Sequence, residues 1–382
     1  MRQLLLTSLF VGGILLKLNA AYTFTSTDGR TLEAEIITAS DSSVTIQRSS
    51  DGRRFELDIN RLIPDDAVYI RKWSERNQTV EEESVSKSDM IGKWPRKLKP
   101  ENYTITIVRE ENDTNTYIYR TPHFEFHSNV KLARKVVREF SQIFESTLLV
   151  ISELPLEFNP EIPEDRPFLT QIFETEEQYL AAGGVPNSAG VYFQQSRKIM
   201  VPLRHLGVKK TSSSYTIDEK REVSVLAHEI THQVTHDWLS KLPIWASEGI
   251  AEYVEHVPYE RGVFRFDRFD VSEFLRRGSS SLTDLQVLMT MSPVEWNLAF
   301  AENASKASSN YLSAFVLYYY FCHFELDEAG KPRLLYDYLR AIEAGKIQEA
   351  ANKILLNGRS YEELEAAVEK AYKREDVNLD FL

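Results

Sequence analysis

The chain has 382 residues, of which 42% are hydrophobic and 11% aromatic, so it can bury one large core or a small domain beside a larger one. This composition excludes a disordered or fibrous protein. Acidic residues outnumber basic residues by 57 to 45, which gives a net charge of −12. So acidic a chain argues against a nucleic-acid partner, because phosphate binding needs a basic face.

Residues 1–20, MRQLLLTSLFVGGILLKLNA, combine an early arginine with an apolar run and a small-residue end, as is typical of a secretory signal. The apolar run from Leu4 to Leu16 is too short for a comfortable membrane span, which favours cleavage over an uncleaved anchor. We therefore predict export to the periplasm or the extracellular space, with no stable membrane span afterwards. Cys322 is the only cysteine, so no intrachain disulfide can form, which favours a bacterial envelope protein.

Residues 21–73 alternate apolar and polar side chains between turn signals, which predicts a small antiparallel β module. Asp-Gly dipeptides at 28–29 and 51–52 are strong tight-turn signals. The pattern DGRTLEAEI, VTIQ and DGRRFELDINRLIPDD, followed by Tyr69 and Trp73, resembles the SLA homology domain, an SH3-like barrel. This resemblance implies an interaction module, whose partner could be an envelope ligand such as a peptide or a glycan, or the module's own neighbour in the chain.

Residues 74–100 lose this periodicity and separate an acidic run from a basic one, which predicts a linker. In the remaining domain, residues 101–382, helical patterns cover 131–152, 176–182 and most of the chain from 216 onward. Strand-like stretches come first: TITIV, TYIYR, FEFHS, FLTQIF and the hairpin GVYFQQSRKIMVP. Strands followed by helices predict an α+β fold.

Residues 226–255, LAHEITHQVTHDWLSKLPIWASEGIAEYVE, carry the strongest chemical signal. His228 and His232 lie one helical turn apart on one face, so both imidazoles can reach a single ion. Glu229 projects beside that ion, where a carboxylate can accept a proton from a metal-activated water. This is the HExxH pattern of catalytic zinc sites.

A third histidine, His236, lies two turns or about 12 Å along a straight helix from His228, too far to share one ion with it. His236 forms a second pair with the same spacing with His232, but the residue directly after His232 is Gln233, which cannot act as a general base. We therefore expect His236 to support a ligand or lie at the surface. Thr216 with Glu219 forms a capping-box signal that predicts the start of this helix.

The break LSKLPIW precedes a second helix, with Pro243 suited to its first turn. On that helix Glu248 and Glu252 lie one turn apart, so both can face the histidines. One of them would complete the His, His, Glu set of a catalytic zinc site and leave a fourth position for water. The other could accept a hydrogen bond from the free N–H of a ligand imidazole.

HEITH followed by WASEGIAEY resembles the gluzincins of the peptidase MA-like superfamily, in which a WxxEGxAE-type segment supplies the glutamate ligand. The resemblance implies a zincin-like metallopeptidase domain with one Zn²⁺ ion held by His228, His232 and Glu248. It makes Glu229 the general base and Glu252 the acidic residue one turn beyond the ligand. The fifteen residues between the second histidine and Glu248 are fewer than in the best-known gluzincins, and Glu252 would match the longer count. Sequence context favours Glu248.

Gluzincin aminopeptidases supply an oxyanion-stabilising tyrosine about sixty residues beyond the glutamate ligand, and Tyr311 lies at about that separation. The resemblance therefore makes Tyr311 a catalytic candidate. The hairpin at 190–202 could offer an edge strand to an extended substrate, or form an ordinary sheet edge. Trp245 is expected to pack between the two zinc-binding helices.

These features predict an exported zinc peptidase that hydrolyses a peptide or protein substrate. The alternative is a non-catalytic cell-envelope binding protein, in which the SH3-like module carries the function and the metallopeptidase fold is a relic. Glu229 favours the enzyme, because a relic has no physical need for a base. A purely structural zinc site is normally closed by four protein ligands, often cysteines, and none lies nearby.

Overall fold

The computed structural model describes residues 22–39, 42–48, 54–78, 92–162, 166–186, 188–212, 214–218, 223–275, 281–302 and 304–382. The predicted signal at 1–20 and the predicted turn at 51–52 lie outside these residues. The chain divides into two compact units. One comprises described residues between 92 and 332 together with 359–382, and the other comprises those between 22 and 78 together with 333–358.

The N-terminal part of the smaller unit is an antiparallel sheet in the order β1-β2-β3-β4. Its strands are β1 (Tyr22–Thr25), β2 (Thr31–Ala39), β3 (Ser43–Arg48) and β4 (Arg54–Asp58). The predicted turn at 28–29 joins β1 to β2, where Gly29 has a φ of 84°, a conformation that suits a residue without a Cβ. Inward-facing side chains of the strands form one core with Ile70 of helix α1 (Pro64–Gln78). That helix includes the first residues of the predicted linker.

One carboxylate is buried in this N-terminal sheet and helix. Asp66 of α1 is 2% exposed and accepts hydrogen bonds from the Tyr22 hydroxyl at 2.7 Å and from the Thr25 N–H. A buried carboxylate is stable when such donors satisfy it. Asp66 therefore ties α1 to strand β1.

The larger unit contains a six-stranded mixed sheet in the order β5-β6-β7-β8-β10-β9. Strand β8 is parallel to both β7 and β10, and the other pairs are antiparallel. The strands are β5 (Thr106–Glu111), β6 (Thr116–Arg120), β7 (Phe124–Ser128), β8 (Phe168–Phe173), β9 (Val191–Phe193) and β10 (Lys198–Pro202). The strands predicted at 116–120, 124–128 and 168–173 have these bounds. Three-residue β9 lies at one edge of the sheet.

Helix α2 (Arg134–Glu153) connects β7 to β8, and its apolar face is buried. Helix α3 (Glu176–Ala181) begins with a capping box at Thr175. Two short hairpins follow, β11 (Val208–Lys210) with β12 (Tyr215–Ile217) and β13 (Tyr259–Glu260) with β14 (Val263–Phe264). The prediction of helix from residue 216 onward was too broad at these two places. An α+β fold with an N-terminal antiparallel sheet and a mixed sheet is confirmed.

The remaining described helices of the larger unit include those that carry the sequence motif. They are α4 (Ser224–Val234), α5 (His236–Leu239), α6 (Ile244–His256), α7 (Val271–Leu275), α8 (Leu285–Thr290), α9 (Pro293–Glu302), α10 (Ala304–His323) and α13 (Tyr361–Lys373). Helices α11 (Arg333–Glu343) and α12 (Gln348–Leu356) belong to the smaller unit. Every helix among the described residues is too short or too polar to span a lipid bilayer.

The end of the predicted linker, residues 92–100, has fixed contacts with the larger unit. Leu98 pairs with Phe264 of β14 through backbone hydrogen bonds. The Trp94 indole donates to the Tyr253 hydroxyl at 2.9 Å, and that hydroxyl lies 2.9 Å from Nε2 of His323. Burial lowers the pKa of His323 to about 4, so its neutral ring accepts a hydrogen bond from Tyr253. This segment therefore covers part of helix α6.

Candidate metal centre

Helix α4 carries both predicted histidine ligands, but it begins at Ser224 rather than near Thr216. The capping-box prediction was wrong, because Thr216 pairs with Lys209 in the β11–β12 hairpin and its backbone is extended. Glu219 lies outside the described residues. The helix is nevertheless long enough to place His228 and His232 on one buried face, one turn apart.

Three donor atoms from α4 and α6 converge at one point. Nε2 of His228 lies 3.1 Å from Nε2 of His232 and 3.2 Å from Oε2 of Glu248. The third distance, between Nε2 of His232 and Oε2 of Glu248, is 3.5 Å. Donors arranged tetrahedrally around zinc at about 2.0–2.1 Å lie about 3.3 Å from one another. The three separations therefore fit a single zinc ion.

The chemistry of this cluster also fits a cation. His228, His232 and Glu248 are 0%, 3% and 1% exposed, and Oε1 of Glu248 has no hydrogen-bond partner among the described residues. Burial raises the pKa of Glu248, but the two neighbouring histidines outweigh burial and lower it to about 2. An ionised carboxylate in a buried site needs positive charge beside it, which either protonated histidines or a cation bound by neutral histidines can supply.

Two further carboxylates of α6 face the other nitrogen of His228. Oε1 of Glu252 lies 3.4 Å from Nδ1, and Oε2 of Glu255 lies 3.2 Å from it. The contacts lack hydrogen-bond alignment, but carboxylates this close to Nδ1 favour a proton on that nitrogen, which leaves the Nε2 lone pair for the cluster. Sequence reasoning predicted Glu252 for this contact and missed Glu255. The signal was available, since Glu255 follows Glu248 by seven residues, or two turns, on the same helix face.

Glycine within α6 allows a close helix contact behind the ligand. A Cβ at Gly249 would lie 3.0 Å from the Ala314 carbonyl oxygen and 3.1 Å from Tyr318 of α10. Helix α10 can therefore approach the backbone of α6 next to Glu248. This approach brings another residue of α10, Tyr311, to the cluster.

Tyr311 is 2% exposed, and its ring centroid lies 6.3 Å from that of His228 and 5.0 Å from that of Trp296 in α9. Burial raises the pKa of its hydroxyl well above the ordinary value, and the charge of Glu248 raises it further. The hydroxyl is therefore protonated near neutral pH and can donate a hydrogen bond. Trp245, expected between the two helices, is fully buried at the start of α6.

Glu229 lies beside the cluster and contacts the edge of the sheet. Its Oε2 accepts a hydrogen bond from the backbone N–H of Tyr192 in β9 at 2.8 Å. Burial raises the pKa of Glu229, whereas the neighbouring histidines and the Tyr192 N–H act in the opposite direction. A cavity of about 160 Å³ opens beside it, lined also by Ala189, Gly190, His205, Val225 and Leu226.

His236 does not join the donor cluster. Helix α4 ends at Val234, and His236 begins the separate helix α5. Its Nδ1 lies 2.7 Å from the hydroxyl of Tyr192, the residue whose backbone contacts Glu229. The half-buried third histidine is thus in contact with the edge strand.

A scan against protein-family models matched none, and searches of curated proteins and of solved structures found no match.

Proposed function

We propose that this protein is an exported zinc peptidase of the gluzincin type, with an SH3-like module at its N-terminus that binds an envelope ligand. One observation carries the proposal: two imidazole nitrogens and one carboxylate oxygen meet within 3.1 to 3.5 Å of one another in a buried site. Three protein ligands are the number that catalytic zinc sites use, whereas structural sites use four.

His228, His232 and Glu248 would hold the zinc ion. When bound, zinc polarises the scissile carbonyl and makes water a stronger nucleophile near neutral pH. The carboxylates at Nδ1 of His228 would keep that ring in the orientation that binding requires. Zinc is preferred to calcium or magnesium, because those ions favour sets of oxygen ligands.

Glu229 is suited to the role of general base. It lies on the helix that carries both histidines, and the N–H of Tyr192 holds one of its oxygens. Its carboxylate would accept a proton from the attacking water and deliver it to the leaving amine. Burial raises its pKa, which makes it a better proton acceptor than an exposed glutamate. The adjacent cavity has room for a substrate side chain next to the scissile bond.

Tyr311 would donate its hydroxyl proton to the oxygen that becomes negative as the carbonyl is attacked. Its position next to His228 and its raised pKa both suit a neutral donor. Strand β9 lies at the edge of the mixed sheet beside Glu229, where an extended peptide could add as a further strand.

The decisive variant is Glu229→Gln, which keeps the size of the side chain and removes its basicity. We expect the purified wild-type protein to contain one zinc ion per chain and to hydrolyse members of a peptide library, with products read by mass spectrometry. Glu229→Gln should retain zinc while hydrolysis falls by at least about a hundredfold, the contribution typical of a general base.

Glu177→Gln is the matched control, since Glu177 is an exposed glutamate of α3 in the same unit. It should behave as the wild type in both measurements. Equal hydrolysis by the wild type and Glu229→Gln would remove Glu229 from the mechanism. A wild-type protein without bound zinc would contradict the proposal as a whole.

A further inference from the structure

Helix α4 and the turn after it present a second row of polar side chains beside the histidine ligands. Gln233 lies four residues after Glu229, and His236 lies three residues after Gln233. These helical spacings place the three side chains on one face, next to the face that carries the histidine ligands. All three contact the β9–β10 hairpin or its neighbour β8. This row, Glu229, Gln233 and His236, is called the hairpin-facing row below.

Gln233 holds the turn of the hairpin. Its amide Nε2 donates to the Leu169 carbonyl in β8 at 2.8 Å and to the Arg197 carbonyl at 3.3 Å. Arg197 lies in the β9–β10 turn and has a left-handed φ of 51°. Gln233 cannot act as a general base, but its two hydrogen bonds give it a structural role.

Strand β9 needs such contacts, because it has three residues and pairs with one strand only. Its central residue, Tyr192, pairs with Ile199 of β10 and also makes two contacts with the hairpin-facing row. The backbone N–H of Tyr192 donates to Glu229 at 2.8 Å, and its hydroxyl lies 2.7 Å from Nδ1 of His236. Tyr192 is 6% exposed, and burial raises the pKa of its hydroxyl, so a neutral hydroxyl donates to His236.

We propose that His236 is a positioning residue, which holds Tyr192 so that the Tyr192 N–H fixes the carboxylate of Glu229. This inference rests on the proposed peptidase function, in which Glu229 is the base. His236 is not a member of the donor cluster and its hydrogen-bond contact is with Tyr192, so it acts through Tyr192. The third histidine of the motif thereby has a role other than metal binding.

The experiment is a double-mutant cycle between Tyr192→Phe, which removes only the hydroxyl, and His236→Ala. Zinc content and the kinetics of a peptide found in the library digest are measured for each variant. Small displacements of a catalytic group are costly, so each single variant should lower kcat about tenfold with KM within about twofold and zinc unchanged. The double variant should also have a kcat about tenfold below that of the wild type, because both changes break the same contact.

His236→Asn is the conservative variant, since its amide oxygen can replace Nδ1 as the acceptor. It should recover kcat to within about threefold of the wild type. Tyr215→Phe is the matched control, because it also removes a tyrosine hydroxyl. That hydroxyl donates to Glu174 with a hydrogen bond of 2.6 Å and does not contact the cluster. It should leave kcat unchanged. If the double variant had a kcat about a hundredfold below that of the wild type, the two residues would act independently, and the proposal would be overturned.

Hydrogen exchange tests the contact without activity. Amides of β9 should exchange at least about tenfold faster in Tyr192→Phe and His236→Ala than in the wild type, while those of β7 remain unchanged. Unchanged exchange in β9 would overturn the positioning role alone. Absence of hydrolysis in the wild type would instead overturn the proposed function, so the two failures are distinguishable.

Discussion

Two buried carboxylates in this protein, Asp66 and Glu248, are 2% and 1% exposed but have opposite surroundings. Asp66 is covered by neutral donors, the Tyr22 hydroxyl and the Thr25 N–H. Glu248 faces two imidazole nitrogens with one oxygen, and its other oxygen has no hydrogen-bond partner among the described residues. A carboxylate buried for structure has its hydrogen bonds satisfied, whereas one buried for a ligand retains binding capacity.

From this contrast we expect Glu248→Ala to have the largest effect on zinc binding and hydrolysis. Removing one of three ligands should lower zinc affinity by more than about a hundredfold and abolish hydrolysis, because removing even an outer partner of a ligand costs ten- to a hundredfold. Added zinc should raise the melting temperature of the wild type but not of this variant. Glu252→Ala should lose far less zinc, as measured by elemental analysis and chelator competition. The reverse ranking would transfer the ligand role to Glu252.

Asp66→Ala should act on stability and leave the zinc content unchanged. The substitution deprives two half-buried donors of their acceptor, which should cost about 2 kcal/mol in the free energy of unfolding of the N-terminal sheet and helix. Native-state hydrogen exchange of β2 and β3 would measure this cost. Asp65→Ala is the matched control, because Asp65 is the adjacent residue and its side chain is exposed. A loss of zinc in Asp66→Ala would contradict the distinction between the two carboxylates.

The smallest expected effect is a difference in zinc affinity between variants of Glu252 and Glu255, the two residues near Nδ1 of His228. Glu255→Gln should weaken zinc binding about tenfold, because the closer acceptor loses its charge. Burial and the neighbouring Glu255 charge raise the pKa of Glu252, so a neutral amide resembles its protonated form. Glu252→Gln should therefore change zinc affinity by less than about twofold. Chelator competition at pH 7 would show a mistaken assignment if Glu252→Gln were the weaker binder.

Much of the donor cluster was predictable, because it depends on helix periodicity. His228 and His232 needed only a spacing of four, and Glu248 needed a second helix that returned to the first. The same periodicity would have identified Glu255 if it had been followed for a second turn. The strands at 116–120, 124–128 and 168–173 were predictable for a similar reason, since alternation is a local property.

Other parts depend on contacts between distant segments. Thr216 has a capping-box neighbour, yet pairing with β11 places it in a strand, so tertiary structure overrides the local signal. The contacts of Tyr192 with Glu229 and His236 join residues that are 37 and 44 positions apart. Nothing in the local sequence specifies which backbone N–H of a hairpin will lie beside a given helix.

The hydrogen bond from Trp94 to Tyr253 has a practical consequence for anyone who expresses the C-terminal part of the chain without the N-terminal sheet. A fragment that starts at the apparent domain boundary near residue 101 would omit the indole and the Leu98 pairing, and would expose the helix that carries Glu248 to solvent. Such a fragment could lose activity for reasons unrelated to its chemistry. Cloning from Gly92 preserves both contacts.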